Sequence, residues 1–378
     1  MDFELTEEQR IIQKTIRDFA TKELAPVADE LDEKEEFPHQ IFKRIGELGL
    51  LGMLLPQEYG GSDAGELSLA LAIEEIAKAC ASTADIVDSA AVIGTVPIFH
   101  YGTEEQKQRF LPSLATGEKI SSYAISEPDA GSDIGAIRTR AVKDGDTYIL
   151  NGQKTFITCG NVCDMAVVFA MIPELAPRGM TAFIVEYGTK GFSKGEKFKK
   201  LGMHAATNCE FFFEDCPIPA ANRLGEEGKG MRIALATLDH GRIGIAAQAV
   251  GIAQAVLEKC TDYAKTRIQF GSPIAKNQAI SFKLADMATE IAAARFLYYH
   301  AASLADNGKP FSINAAMAKL YASELAMRAS TAGIQIFGGY GYMMEYPMQR
   351  YFRDAKLTEL YEGTSEVQRM VISRGVLG

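Results

Sequence analysis

The strongest candidate for a reactive side chain is Glu362, which follows the apolar run LTELY and precedes Gly363 and Thr364. Burial of a carboxylate in such surroundings disfavours its charged form, raises its pKa and makes it suitable as a general base. A glutamate at a helix end with its carboxylate in solvent would show the same pattern. Upstream, the adjacent glycines of FGGYGYMMEYP (residues 337–347) would let a ligand approach the backbone closely.

Two segments in the middle of the chain could bind a flat, polar ligand. In YAISEPDAGSD (residues 123–133), Pro128 and Gly131 favour an irregular backbone whose free N–H groups and hydroxyls could bind polar atoms. An ordinary multi-turn connection is the alternative. In NGQKTFITCG (residues 151–160), an aromatic residue beside a hydroxyl could flank a heterocycle, although the edge of a β-strand would look the same.

Composition excludes several classes of protein. The 378 residues suggest two or three domains, and the net charge of −10 without a basic cluster argues against nucleic-acid binding. Six cysteines without a CxxC pair and five scattered histidines predict buried, reduced thiols and no metal site. The N-terminus has no signal-like region, and no apolar run approaches 18 residues, so we expect a cytoplasmic protein without membrane insertion.

Three regions must position these residues. Up to about residue 120 the pattern is helical, with capping boxes at Thr6/Gln9 and Thr103/Gln106. Short β-rich runs separated by turn signals then predict a small antiparallel β domain. After Gly230 the helical period returns in long alanine-rich stretches. We therefore predict a mostly α, α+β fold with an N-terminal helical domain, a middle β domain and a C-terminal helix bundle, at 1–120, 121–225 and 226–378.

Seven segments, in this order, resemble the acyl-CoA dehydrogenase family, and in particular its short-chain, butyryl-CoA dehydrogenase-like members. They are YAISEPDAGSD, NGQKTFIT, LDHGRIGIAAQAVG, RIQFGSPIAKNQAISF, QIFGGYGY, EYPMQRYFRDAK and LYEGTSEVQRMVI. The resemblance covers essentially the whole chain. It implies the same three-domain fold with a C-terminal four-helix bundle, FAD as cofactor, an acyl-CoA substrate, electron-transferring flavoprotein as redox partner and a homotetramer.

The resemblance also implies a cofactor site. Ile125 and Ser126 would lie near the flavin ring, and Thr158 would donate near its reactive nitrogen. Phe156 stands where relatives often have Trp, and Cys159 where they often have Asn. The implied FAD contacts are Tyr123, Ile125, Ser126, Ser132, Phe156, Ile157, Thr158, Arg267, Gln269, Phe270, Gln278, Gln335, Gly338, Gly339, Thr364 and Glu366.

Substrate residues follow in the same way. Glu362 matches the family's base: it would remove the α proton while the β hydrogen leaves as hydride to flavin N5. The Glu362 amide and a flavin ribityl hydroxyl would hold the thioester carbonyl. The implied acyl-CoA contacts are Ser132, Leu238, Asp239, Arg242 and Gly363.

The helix expected to border the acyl chain contains Asp85 and Asp88, where relatives usually have uncharged residues. Both could face solvent or cap the helix start. Alternatively, one could enter the acyl cavity, to bind a polar acyl group or to act as a second base. Because Glu362 is retained, we favour ordinary α,β-dehydrogenation of a short or compact acyl group, including a ring such as cyclohexanecarboxyl.

Three other activities fit the same sequence. An enoyl-CoA reductase would use one site in reverse, with electrons from electron-transferring flavoprotein. An acyl-CoA oxidase would be reoxidised rapidly by oxygen. A catalytically inactive member of the family would only bind a partner, although the retained Glu362 argues against it.

Overall fold

The computed structural model describes residues 4–378 and shows helices followed by a sheet and then a second group of helices. The α-helices of these residues are α1 Glu7–Phe19, α2 Ala28–Lys34, α3 His39–Glu47, α4 Gly65–Ala79, α5 Ala81–Asp88, α6 Val96–Tyr101, α7 Glu104–Ala115, α8 Gly230–Thr266, α9 Gln278–Asp306, α10 Ser312–Phe337, α11 Met348–Thr358 and α12 Ser365–Leu377. The strands are β1 Ser121–Ala124, β2 Arg140–Asp144, β3 Thr147–Thr158, β4 Met165–Met171, β5 Met180–Glu186, β6 Phe192–Lys194, β7 Asn208–Pro219, β8 Arg223–Leu224, β9 Ile268–Gln269 and β10 Ser272–Pro273.

Both predicted capping boxes are confirmed. The Thr6 hydroxyl accepts from the Gln9 amide at 3.2 Å, and the Thr6 amide donates to the Gln9 side chain at 3.0 Å. Thr103 and Gln106 form the same pair of bonds at the start of α7. Such caps satisfy amides that the first helical turn leaves without partners, and each contributes about 1 kcal/mol.

The sheet of the middle region is mixed, so the prediction of an antiparallel domain needs correction. The strands follow the order β6-β7-β3-β2-β4-β5-β8, and most neighbouring pairs are antiparallel. However, β1 runs parallel to β4 over Ser121–Ala124, and β2 meets β4 in parallel at one residue pair. Because β1 follows α7 directly, this parallel pairing brings the C-terminal end of the helical region onto the sheet. The domain boundaries themselves stay a prediction.

Helix α8 lies at the centre of the molecule, packed against α4, α9 and α10. Ala and Gly are frequent in its sequence, and such small residues let the neighbouring helices approach closely. A methyl group on Gly251, for example, would lie 2.4 Å from the Glu74 carbonyl oxygen of α4. The position of α8 against α4 therefore depends on a glycine at this point.

Two segments, Ala81–Tyr101 and Gly230–Thr266, reach the length and mean hydropathy of a membrane span, although both contain polar residues. Of their most apolar windows, 89% and 78% is buried inside the fold. Packing in the core accounts for their apolar character. The six cysteines are buried with free thiols, which confirms that prediction.

Candidate active site

Glu362 lies in the turn between α11 and α12, where its backbone has φ 51°, a left-handed conformation that is uncommon outside glycine. Gly363 follows with φ 95°. Two side chains hold this turn through its carbonyl groups. Lys319 Nζ donates to the Gly363 oxygen at 2.9 Å, and Gln368 Nε2 donates to the Gly363 and Glu362 oxygens at 2.8 and 3.1 Å. The backbone is therefore fixed without using the Glu362 carboxyl group.

That carboxyl group is shielded from water. Its Oε2 atom is buried and has no hydrogen-bond partner among residues 4–378. Burial raises the pKa of Glu362 to about 7, and Asp85 adds to the shift, whereas contact with Asp88 and the charges of Arg242 and Lys319 oppose it. The alternative of a glutamate with its carboxylate in solvent is thus wrong. With this pKa the group can both lose and take up a proton near neutral pH.

Asp85 and Asp88 are both buried, with 4% and 1% of their surface exposed. The interpretation in which they face solvent or cap α5 is therefore wrong. Burial raises the pKa of Asp85 to about 7 and that of Asp88 well above its usual range, with Glu362 adding to the second shift. Asp85 Oδ2 and both carboxyl oxygens of Asp88 have no hydrogen-bond partner in the described chain.

Two glycines of α8 make room for these acids. A methyl group on Gly241 would lie 2.2 Å from Glu362 Oε2, and one on Gly244 would lie 1.8 Å from Asp88 Oδ1. Residues three apart share a helix face. One face of α8 therefore has a strip without side chains, and the Glu362 and Asp88 carboxyl groups lie against it.

Arg242 directly follows Gly241 on α8 and is itself buried, with 3% of its surface exposed. Its guanidinium donates to Asp239 at 2.5 Å and, through Nε, to the Glu362 carbonyl oxygen at 3.5 Å. Burial raises the pKa of Asp239, although Arg242 opposes that shift. Leu238 is half-buried beside them. The structure thus brings the predicted substrate residues Asp239 and Arg242 directly to the Glu362 turn.

The middle region contains several of the residues predicted to contact FAD. Tyr123 is buried, and its hydroxyl donates to the Ala234 carbonyl oxygen of α8 at 3.3 Å. The carbonyl oxygens of Ile125 and Ser126 accept from Lys154 Nζ at 3.0 Å and from the Thr155 amide at 2.9 Å. This loop is therefore tied to β3 through its backbone.

At the end of β3 the ladder with β7 is interrupted between Lys154 and Ile157, and Phe156 adopts φ 59°. Its ring is 69% exposed, which is unusual for a large apolar side chain. Thr158 is half-buried, and its hydroxyl accepts from Asn208 Nδ2 at 3.0 Å. The Ile157 side chain packs in the core with 1% of its surface exposed, and the predicted cofactor contact of this residue stays a prediction.

A groove of about 650 Å³ lies between the start of α9 and the end of α10. It contains five of the predicted cofactor residues, namely Arg267, Gln269, Phe270, Gly338 and Gly339. The Phe270 ring is fully exposed, and the backbone of this residue has φ 50°. The Arg267 guanidinium lies 5.5 Å from the centroid of the Tyr340 ring. The groove thus combines a cation with exposed aromatic surface.

Other predicted residues lie apart from that groove. Gln335 lines a separate groove with Lys283 and Arg328, and Gln278 is exposed at the first position of α9. Ser132 is exposed in its loop. The last two are Thr364, which caps α12, and Glu366, which is exposed in its first turn.

Three family models match successive parts of the chain. They describe the N-terminal, middle and C-terminal domains of acyl-CoA dehydrogenase and match residues 6–118, 122–216 and 228–377. The chain belongs to the acyl-CoA dehydrogenase family. It is an oxidoreductase of that family, and the predicted order of a helical, a β and a second helical domain is confirmed.

Individual relatives of this acyl-CoA dehydrogenase match over their full length. The "Acyl-CoA dehydrogenase, short-chain specific" of Clostridium acetobutylicum is 48% identical and covers 99% of both chains. The "Acryloyl-CoA reductase (NADH)" of Anaerotignum propionicum is 48% identical and covers 100% of this chain and 96% of the relative. A solved structure described as "Electron transferring flavoprotein of Acidaminococcus fermentans: Towards a mechanism of flavin-based electron bifurcation" has a TM-score of 0.98, 47% identity and full coverage of both chains.

The family uses FAD, and the residues of this acyl-CoA dehydrogenase fit that cofactor. The exposed Phe156 ring offers a flat apolar surface. The Thr158 hydroxyl, which accepts from Asn208, keeps its own hydrogen available for donation. The Arg267 groove supplies a cation for a diphosphate.

Sequence reasoning missed the buried side chains that support this dehydrogenase's site. Lys319 and Gln368 hold the Glu362 turn, and Lys154 holds the loop after β1. Lys200 Nζ donates at 2.5 Å to Asn208, the partner of Thr158. The sequence carries no local signal for Lys319, because lysine is a good helix former and is common on helix surfaces.

Proposed function

We propose that this protein dehydrogenates a short or compact acyl-CoA at its α and β carbons to give the 2-enoyl-CoA, with Glu362 as the base. The observation that carries the proposal is the shielded Glu362 carboxyl group, whose Oε2 has no partner among residues 4–378 and whose pKa burial raises to about 7. The name of the Clostridium acetobutylicum relative supports a short acyl chain.

The proton step follows from the Glu362 carboxyl. In its ionised form it accepts the proton from the α carbon of the thioester, and the electrons of that C–H bond pass into the developing enolate. A base whose pKa lies near the working pH combines a useful ionised fraction with a useful affinity for the proton. An ordinary glutamate, with a pKa near 4.3, would be a much weaker base.

The developing enolate needs a hydrogen-bond donor. The Glu362 amide has no acceptor among residues 4–378, so it is available for the thioester oxygen. Lys319 and Gln368 hold the turn that presents this amide. Base and donor therefore belong to one residue on a fixed turn, which sets their relative positions.

FAD, when bound, supplies the acceptor for the β hydrogen as hydride. Phe156 and Thr158 would hold its ring from the β3 side, and Ser126 and Thr364 would contact it from neighbouring loops. Leu238, Asp239 and Arg242 would line the path of the CoA moiety. Alignment of the substrate between these residues and Glu362 accounts for much of the catalysis that we expect from the protein.

Glu362→Gln tests the proposal because glutamine keeps the shape of the side chain but cannot accept the proton. We expect retained FAD and acyl-CoA binding with turnover lowered at least about 1000-fold. Glu359→Gln, at the end of α11, is the matched control and should keep its turnover. Substantial activity of the Glu362 variant with a saturated acyl-CoA would refute the assignment.

The size and shape of the acyl group can be tested separately. Rates with butyryl-, octanoyl- and cyclohexanecarboxyl-CoA compare a short chain, a long chain and a ring. We expect the octanoyl thioester to be the poorest substrate. Asp88→Asn measured with the same three substrates shows whether this buried acid faces the acyl group. If Asp88→Asn and wild type have the same kinetics with each of the three substrates, such a role is excluded.

An enoyl-CoA reductase is the second candidate, and the name of the Anaerotignum propionicum relative favours it. The same Glu362 carboxyl group, once protonated, would return its proton to the α carbon. Comparing acyl-CoA oxidation with enoyl-CoA reduction, each with electron-transferring flavoprotein in the matching redox state, separates the two directions. Rapid reoxidation by oxygen alone would instead indicate an oxidase, and a colourless protein without turnover would indicate an inactive family member.

We further propose a homotetramer in which a neighbouring copy completes the Arg267 groove. The fully exposed Phe270 and the 60% exposed Phe282 of α9 support an interface on this face. Light scattering of wild type and Phe270→Ala tests this idea, and an FAD-loaded monomer would contradict it.

Electron-transferring flavoprotein is the proposed redox partner, supported by the description of the structural match from Acidaminococcus fermentans. A cytoplasmic location stays a prediction.

A further inference from the structure

The carboxyl groups of Asp88 and Glu362 lie against the same strip of α8, at Gly244 and Gly241, and each acts on the pKa of the other. Neither oxygen of Asp88 nor Oε2 of Glu362 has a hydrogen-bond partner among residues 4–378. Two ionised carboxylates cannot satisfy each other, because neither carries a hydrogen to donate. One proton shared by the pair provides the missing donor and removes the repulsion between two negative charges.

The surroundings favour one proton on this pair. The cations that face it are Arg242 from α8 and Lys319 from α10, but Arg242 is already paired with Asp239. Burial lowers the pKa of Lys319 to about 7, so its charge is only partial at neutral pH. The remaining titratable groups that act on the pair are acids or phenols. These groups are Asp85, Glu66, Tyr123 and Tyr361.

Helix α8 fixes the geometry of the pair. Its glycines at 241 and 244 leave space for the Glu362 and Asp88 carboxyl groups on one helix face. Asp88 comes from α5 and Glu362 from the turn after α11, so residues far apart in sequence meet over this strip. A side chain at either glycine would displace one of the two carboxyl groups.

We propose that Asp88 is a positioning residue that holds a proton and donates it in a hydrogen bond to the ionised Glu362 carboxylate. The bond engages one Glu362 oxygen and leaves the other directed to the α carbon of the substrate. This inference rests on the proposed role of Glu362 as the base. When Glu362 takes the α proton, the pair holds two protons, and one must leave before the next turnover.

The test compares the pH profiles of kcat/KM for paired variants at positions 88 and 85. Asp88→Ala removes the donor, so we expect the rise of kcat/KM with pH to move upward by about one pH unit. Asp88→Asn keeps a neutral donor, and its profile should stay at the wild-type position or move lower. Asp85→Ala and Asp85→Asn are the matched controls, because Asp85 acts on Glu362 only through its charge. Their profiles should not move upward.

Infrared difference spectroscopy of the FAD-loaded, substrate-free enzyme gives a second readout. At neutral pH the wild type should show a protonated-carboxyl band that is lost in Asp88→Asn and shifted in Glu362→Gln. An unchanged band in Asp88→Asn would show that Asp88 holds no proton, and an unchanged band in Glu362→Gln would show that the proton of Asp88 does not contact Glu362; either result would overturn the proposal.

The possible failures are distinguishable. An active Glu362→Gln enzyme would overturn the proposed function itself. An inactive Glu362→Gln enzyme, together with wild-type profiles for both Asp88 variants, would overturn only the role of Asp88. Equal upward shifts in Asp88→Ala and Asp88→Asn would also overturn it, because the asparagine retains a donor. Asp88→Asn preserves the volume of the side chain, so it provides the infrared test even if the alanine variant does not fold.

Discussion

Glu127 and Glu362 are both glutamates removed from bulk water, but their surroundings give them opposite properties. Glu127 accepts from Lys154 Nζ at 2.8 Å and from the amides of Arg138 and Thr139 at 2.6 and 2.9 Å. Burial alone would raise the pKa of Glu127, but Lys154 and these donors bring it below the usual value. For Glu362 burial prevails, and the pKa rises to about 7.

The difference separates a structural acid from a reactive one. A buried charge whose hydrogen-bonding capacity is filled holds neighbouring segments in one arrangement. A buried acid with an unfilled oxygen keeps the capacity to exchange a proton with a ligand. A buried glutamate thus makes the middle region rigid, whereas a second buried glutamate provides the reactive group of the Glu362 turn. The following predictions test that division from the largest expected effect to the smallest.

Lys154→Met should have the largest effect on stability. The methionine fills similar space but leaves the Glu127 carboxylate buried without its cation, which costs about 3 to 5 kcal/mol. Urea unfolding at fixed FAD concentration measures the loss. Glu127→Gln with Lys154→Met should recover part of it, because the double variant has no buried charge. Equal stability of the single variant and wild type would show that this pair is not structural.

Glu362→Gln should instead stabilise the protein at high pH. The folded-state pKa of about 7 exceeds the unfolded value, so folding favours the protonated acid. Stability from this group is fully present below about pH 4.3 and is lost as pH rises through 7. We expect the variant to gain up to about 3 kcal/mol over wild type at pH 8 and almost nothing at pH 4. Thermal unfolding of both proteins across this range is the measurement. A constant difference would contradict the pKa shift.

Gly244→Ala should disturb the pair that includes Asp88. The new methyl group would lie 1.8 Å from Asp88 Oδ1, so that carboxyl group must move. We expect about 1 to 3 kcal/mol of destabilisation from overpacking, reduced by the better helix propensity of alanine. The pH profile should shift in the same direction as in Asp88→Ala. Gly308→Ala, at φ 63° with open space around it, is a control for backbone strain without a buried contact.

Asp129→Asn should have the smallest effect. Asp129 pairs with Arg138 at 3.1 Å in the same loop as Glu127, but both side chains are more than two-thirds exposed. Exposed ion pairs contribute about 0 to 1 kcal/mol and are screened by salt. We expect a change below about 0.5 kcal/mol in urea unfolding. A loss as large as that of Lys154→Met would mean that burial does not distinguish the two pairs.

The sequence alone was sufficient to predict those structural features that depend on residues close together in the chain. The capping boxes at Thr6 and Thr103 involve residues three apart, and the long helices α8, α9 and α10 follow the alanine-rich pattern closely. The apolar run before Glu362 likewise indicated a shielded carboxyl group.

Features that depend on distant partners could not be predicted. The burial of Asp85 and Asp88 depends on how α5 packs against α8, and no local pattern reports that packing. The parallel pairing of β1 with β4 joins strands separated by two others in the chain. The register shift between Lys154 and Ile157 likewise depends on the pairing of β3 with β7, which lies about 50 residues away in the chain.

In the turn that carries Glu362, the backbone makes the hydrogen bonds that hold the turn, and the side chain is left for chemistry. Lys319 and Gln368 donate only to carbonyl oxygens of the turn, so the side chain at position 362 can be replaced while these hydrogen bonds remain. The site is therefore open to chemical rescue. In a Glu362→Gly enzyme the space beside Gly241 would admit a small external carboxylate such as formate, and its pKa rather than that of a residue would then govern the rate.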